Sequence, residues 1–148
     1  MQGDVLKPTN TWVWIPSLRA VVAGDIVFNG VHVWLANSNE ESRAAWLHSL
    51  EQIRALNPRT VVAGHKGRTD LKDTADAVTF TENYIRDFGS AKKSATDSNA
   101  LIAAMKAKYP NLALACDLGG NLPARYGGQI FLLKLFSTHA HLSRIAAV

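Results

Sequence analysis

An α/β fold is what this sequence predicts, and three observations predict it. Two short apolar runs, Arg19–Ala23 and Thr60–Ala63, flank a stretch of helical periodicity, which is the strand–helix–strand order of α/β proteins. Each run stops at a glycine followed by a polar side chain, Gly24-Asp25 and Gly64-His65. Beyond residue 70 the chain is mostly helical in pattern. The 148 residues are one domain's worth, a single domain over 1–148 with a strand–helix–strand core at 11–67, a helical region at 70–110, and a loop and apolar tail at 111–148.

The first strand is expected at Trp12–Ile15, a β-rich stretch after which Pro16-Ser17 turns the chain. Arg19–Ala23 is the second strand; Ile26–Phe28 is a candidate continuation, broken by the turn signal Asn29-Gly30. Val31–Leu35 is apolar again and reads as a further strand. Ser38 or Asn39 then caps a helix that opens on Glu40-Glu41, acids suited to its N-terminal dipole. Trp46, Leu47, Leu50, Ile53 and Leu56 form its apolar stripe, and Asn57-Pro58 ends it. Leu71–Phe88 has helical spacing, with Gly89 as the residue just beyond its end. Asp97 or Ser98 caps a last helix through Leu101, Ile102 and Met105 to Tyr109, which Pro110 stops. Residues 111–128 read as loop, and Gln129–Phe136 fits either a strand or a buried helix.

Composition excludes several classes. Apolar residues make up 47% and charged residues 19%, a globular balance. The single cysteine, Cys116, excludes an intrachain disulfide scaffold and a cysteine-based zinc module. No apolar run approaches a membrane span of about 20 residues, and Met1–Trp12 lacks the basic and apolar regions of a signal peptide, so the expected location is the cytoplasm. The net charge of +4 is spread along the chain, with Lys92-Lys93 the only adjacent basic pair, which does not suggest nucleic-acid binding.

Asp25 and His65 carry the chemistry. Both are expected just past strand ends, the edge where α/β sheets bind ligands. A carboxylate and a neutral imidazole on adjacent strand ends suit a divalent metal, although an Asp in a turn and a hydrogen-bonded surface His are the commoner explanations.

The stretch from Val21 to Gly67 resembles the C-terminal half of the metallo-β-lactamase superfamily. The resemblance rests on Gly24-Asp25, on the Trp46–Leu50 helix core and on Ala63-Gly64-His65. It implies about half of a four-layer αββα sandwich with additional C-terminal helices. It also implies that Asp25 bridges two metal ions, of which zinc is the expected one, and that His65 is a terminal ligand. Lys66 stands where the family carries a glycine after the histidine. The family's His-x-His-x-Asp-His loop has no counterpart before residue 11, so the expectation is a hydrolase-like protein, truncated and weakly active or inactive alone. If completed, it would hydrolyse an ester, thioester, lactam or phosphoester. The alternative is a non-catalytic remnant that acts through self-association or protein binding.

Further candidates are thinner. His139-Ala140-His141 looks like the start of the metal loop, in a permuted position, or is a chance pair in the tail. His32 is a candidate substrate contact in the cleft, or a half-buried histidine hydrogen-bonded in a loop. His48 reads as a solvated helix residue. The strands are apolar at nearly every position, which suits a sheet covered on both faces. The second cover is expected from the later helices, from the Ile130–Phe136 segment with Leu132, Leu133 and Leu135 folding back, or from a second copy of the chain in a homodimer; the missing N-terminal half on another chain is the other expected partner.

Overall fold

The structure is a computed structural model and describes residues 10–35 and 38–113. Its elements are β1 (Val13–Ile15), a single 3-10 turn at Pro16–Leu18, β2 (Ala20–Asn29), α1 (Glu40–Ala55), β3 (Thr60–Lys66), α2 (Asp76–Ser94) and α3 (Ser98–Lys108). The three strands form one mixed sheet in the order β1-β2-β3, with β1 antiparallel and β3 parallel to β2. The β2–α1–β3 unit is the α/β core expected from the sequence. The described residues do not extend to the full sandwich.

Local chemistry explains α1. Asn39 accepts the Ser42 N–H at 2.7 Å, and the Ser42 hydroxyl receives the Asn39 N–H at 3.0 Å, so two otherwise orphaned donors are satisfied reciprocally. Of the two candidate caps, Asn39 is therefore the one used. The helix stops at Ala55, two residues before Asn57, which takes a positive φ. Trp46, Leu50 and Ile53 are fully buried in the core that α1 forms with β2 and α2, while Leu47 and Leu56 are partly buried around them.

Three expectations need correction. Val31–Leu35 is not a sheet strand: only Val31 makes an isolated bridge, to Ala113. Its apolar side chains still enter the core, since Val31, Val33 and Leu35 are buried. Burial, not strand pairing, accounts for that apolar run. The helix expected from Leu71 starts instead at Asp76, because Leu71 lies over Gly30 and the Asp73 carbonyl accepts the Val61 N–H, both of which hold the chain outside a helix. Nor does Gly89 end α2. The helix runs on to Ser94, with Lys92 and Lys93 in its last turn, where cations favour the helix dipole. A glycine in a helix interior costs only about 1 kcal/mol, which the flanking turns outweigh.

α2 packs on the same sheet face through Ala77, Val78, Tyr84 and Ile85. Glu82, buried between the helices, is paired with Arg54 of α1 and with Arg86 one turn along α2, at 2.8 Å for the latter. α3, capped by Asp97 on the Ala100 N–H, buries only Met105 fully. Among the described residues no helix is long and apolar enough to cross a membrane.

Candidate functional site

The site sits where β2 departs from regular pairing. Gly24 pairs with Ala63 and the next paired position is Phe28 with His65, so four steps along β2 span two along β3. The strand bulges over Asp25–Val27. Gly24 takes φ +52°, a left-handed conformation that glycine adopts without penalty, and this lets the strand kink and then resume. Asp25 and His65 therefore lie inside continuous strands rather than past strand ends, which corrects the expected placement. The sequence marked the glycine and offered Ile26–Phe28 as a candidate continuation, which the structure takes up; it gave no sign of the bulge between them.

Gly64 fixes the depth of the approach. A Cβ there would collide with the Gly24 carbonyl and lie 2.9 Å from the Asp25 nitrogen. Without one, β3 closes on the bulge, and His65 Nε2 lies 3.0 Å from Asp25 Oδ1. The His65 imidazole stacks on the Phe28 ring, with centroids 4.7 Å apart and planes 16° from parallel. Both side chains of the pair keep about two-fifths of their surface open, 41% for His65 and 39% for Asp25.

The bulge frees backbone groups, and two buried side chains take them up. Trp46 Nε1 donates to the Ile26 carbonyl at 2.9 Å. The Phe28 N–H donates to Thr81 Oγ1 at 2.9 Å, and that hydroxyl lies 3.0 Å from the Phe28 carbonyl and 2.8 Å from the Ala77 carbonyl. Trp46 and Thr81, 1% and 0% exposed, thus brace the segment that presents Asp25 and the Phe28 ring. Sequence reasoning placed Trp46 in the core without this bond, and missed Thr81 and Phe28. A threonine in an amphipathic helix carries no signal that its hydroxyl serves a distant strand.

The other candidates lie elsewhere or outside the described residues. His32 Nδ1 is 2.8 Å from the Tyr84 hydroxyl, and the two rings meet edge to face. Its backbone N–H donates to the Ala113 carbonyl. Burial, and then the Lys106 charge, lower its pKa and favour the neutral ring. Tyr84 belongs to an aromatic cluster with Phe80 and Tyr109, and burial pushes both tyrosine hydroxyls up. Burial alone would raise the Asp87 carboxyl, but hydrogen bonds with Lys108 and Tyr109 outweigh it and hold it below the usual range. His48 is solvated on α1 beside Glu51 and Gln52. Lys66, the departure after the histidine, pairs with Asp73 at 2.6 Å. His139 and His141 lie outside the described residues. Among the described residues no group of three or more His, Cys, Asp or Glu converges on one point.

Asp25 and His65 thus meet across neighbouring parallel strands, with α1 between those strands in the chain. Residues 3–65 match the family model of the metallo-beta-lactamase superfamily. The match takes in Asp25 and ends on His65, so the resemblance read from Gly24-Asp25 and Ala63-Gly64-His65 holds at the level of that family. No curated protein matches the chain.

Proposed function

We propose that this chain supplies Asp25 and His65 as two ligands of a divalent-metal site in a metallo-β-lactamase-fold hydrolase. The observation that carries the reading is their 3.0 Å separation. A carboxylate oxygen and an imidazole lone pair are both electron-rich, so a shared cation, either a proton or a metal ion, reconciles them at that distance. Two ligands bonded to one zinc at about 2 Å lie about 3 Å apart, so the pair fits two neighbouring coordination positions. A catalytic zinc takes about three protein ligands, so further donors come from outside the described residues or from another chain. When bound there, a divalent metal supplies Lewis acidity for hydrolysis of an ester, thioester, lactam or phosphoester. The chain's own contribution is orientation. Phe28 sets the His65 ring plane, and Gly64 lets the two strands close.

The test is metal content per chain after purification without added metal, measured together with oligomer mass. Zinc retained by the wild type and lost in Asp25→Asn and in His65→Gln is expected. A chain that binds no zinc, cobalt or manganese in any assembly overturns the reading. Cobalt absorption bands retained in a His139→Ala/His141→Ala variant would assign the remaining ligands to another source.

A specific observation favours a second reading, a non-catalytic remnant that self-associates or binds another chain. Val13, Val22 and Val62 are register partners across all three strands, and they are 58%, 43% and 37% exposed. They form an apolar row on the sheet face opposite α1 and α2, and such a row marks an association surface.

A further inference from the structure

Arg43 is the unusual charge among the described residues. It is 8% exposed, yet among the described residues no carboxylate pairs with it. One guanidinium nitrogen, Nη1, donates to the Ser38 carbonyl and hydroxyl at 3.1 and 3.0 Å, and the group lies 5.6 Å from the Phe88 ring centroid. Those contacts satisfy donors and contribute a cation–π attraction, but they supply no countercharge. Buried charges are ordinarily paired.

Arg43 lines a groove of about 640 Å³ between the first half of α1 and the C-terminal half of α2. That volume lies within the range of ligand sites. Lys92 and Lys93 stand on its rim and form no ion pair among the described residues, whereas Arg86 is committed to Glu82. Glu40 is the single acid lining it. Ala44 and Leu47 give the groove an apolar side, and across from them Gly89 leaves open space, with nothing within 4 Å of where a Cβ would stand.

We propose that this groove docks an acidic, leucine-bearing peptide segment of a partner protein. Its carboxylates meet Arg43, Lys92 and Lys93, and its apolar side chain lies over Ala44 and Leu47. Charge complementarity selects the partner: an anion completes a buried arginine that lacks one among the described residues. The apolar side favours a peptide over nucleic acid, which needs a longer basic stripe and stacking aromatics. Docking at this groove is independent of metal binding at Asp25 and His65.

Fluorescence anisotropy of the full chain with a panel of fluorescein-labelled hexapeptides, each combining three Glu with two Leu, tests it. Saturable, salt-sensitive binding by panel members is expected, with the Glu-to-Lys counterparts silent. The exposed double variant Lys92→Glu/Lys93→Glu, checked for an unchanged circular dichroism spectrum, is expected to weaken binding at least about tenfold. The Arg43 Nε–H resonance is expected to shift on peptide addition. Absence of binding by the whole panel below about 1 mM overturns the proposal. So does affinity unchanged by the double variant, or preferential binding of a thymidine oligonucleotide or phosphatidylserine vesicles through the same lysines.

Discussion

Gly64 has no room for a side chain, and the pairing of Asp25 with His65 depends on that. Gly64→Ala forces β3 away from the Gly24 carbonyl and is expected to cost about 1–3 kcal/mol, as overpacking generally does. The urea midpoint checks the cost. In a spectrum of the histidine resonances, a changed His65 environment checks the loss of the pair. His32 gives a second prediction. Its folded-state pKa is depressed below 6.5, so above that value both folded and unfolded chains hold it neutral and its contribution to stability is complete. As the pH falls below 6.5 the unfolded chain takes up the proton first, and stability declines until the folded-state value is passed. Urea midpoints at pH 7.5 and 5.0 are expected to differ by less in His32→Gln than in the wild type. An equal difference in the two proteins removes His32 as the cause.

At the scale of elements, α2 runs through Gly89 instead of ending there. The glycine has ordinary helical geometry and space where a Cβ would stand, so Gly89→Ala removes only the entropic cost of a helix-interior glycine. It is expected to stabilise the chain by about 0.5–1 kcal/mol, read as a raised thermal midpoint. A lowered midpoint would show that α2 frays before Gly89. The same helix shows how elements share work. Its Thr81 completes the hydrogen bonding of the β2 bulge, and its Glu82 ties α1 to α2 through Arg54 while Arg86 holds it from within α2.

At the scale of the whole molecule, the described sheet has one covered face and one open one. The helices bury Val21, Ala23 and Val61, while Val13, Val22 and Val62 face away from them. If a second copy or another chain covers that row, Val22→Lys places an unpaired charge at its centre. Light scattering is then expected to report a smaller particle than the wild type, with the circular dichroism spectrum kept. An unchanged mass, or a wild type that is already monomeric at micromolar concentration, removes the self-association reading.

Local rules carry the helix boundaries that depend on neighbours in sequence. Asn39 before two glutamates, Asp97 before an apolar stretch, and Asn57-Pro58 after the last turn of α1 each act within a few residues, so their outcome follows from the order of side chains. The motif glycines likewise singled out Asp25 and His65 as candidates, and the family match spans both. Tertiary structure decided the rest, because the deciding groups are distant in sequence. Val31–Leu35 became a buried crossing segment because the core, and not a strand partner, took its side chains. β2 continued past Asp25 because Trp46 and Thr81, 20 and 53 residues away from the backbone groups they satisfy, accept or donate where the ladder cannot. Asp25 and His65 are 40 positions apart in the chain. Only the closure of β3 over the Gly24 bulge, permitted by the missing Cβ of Gly64, sets their 3.0 Å separation.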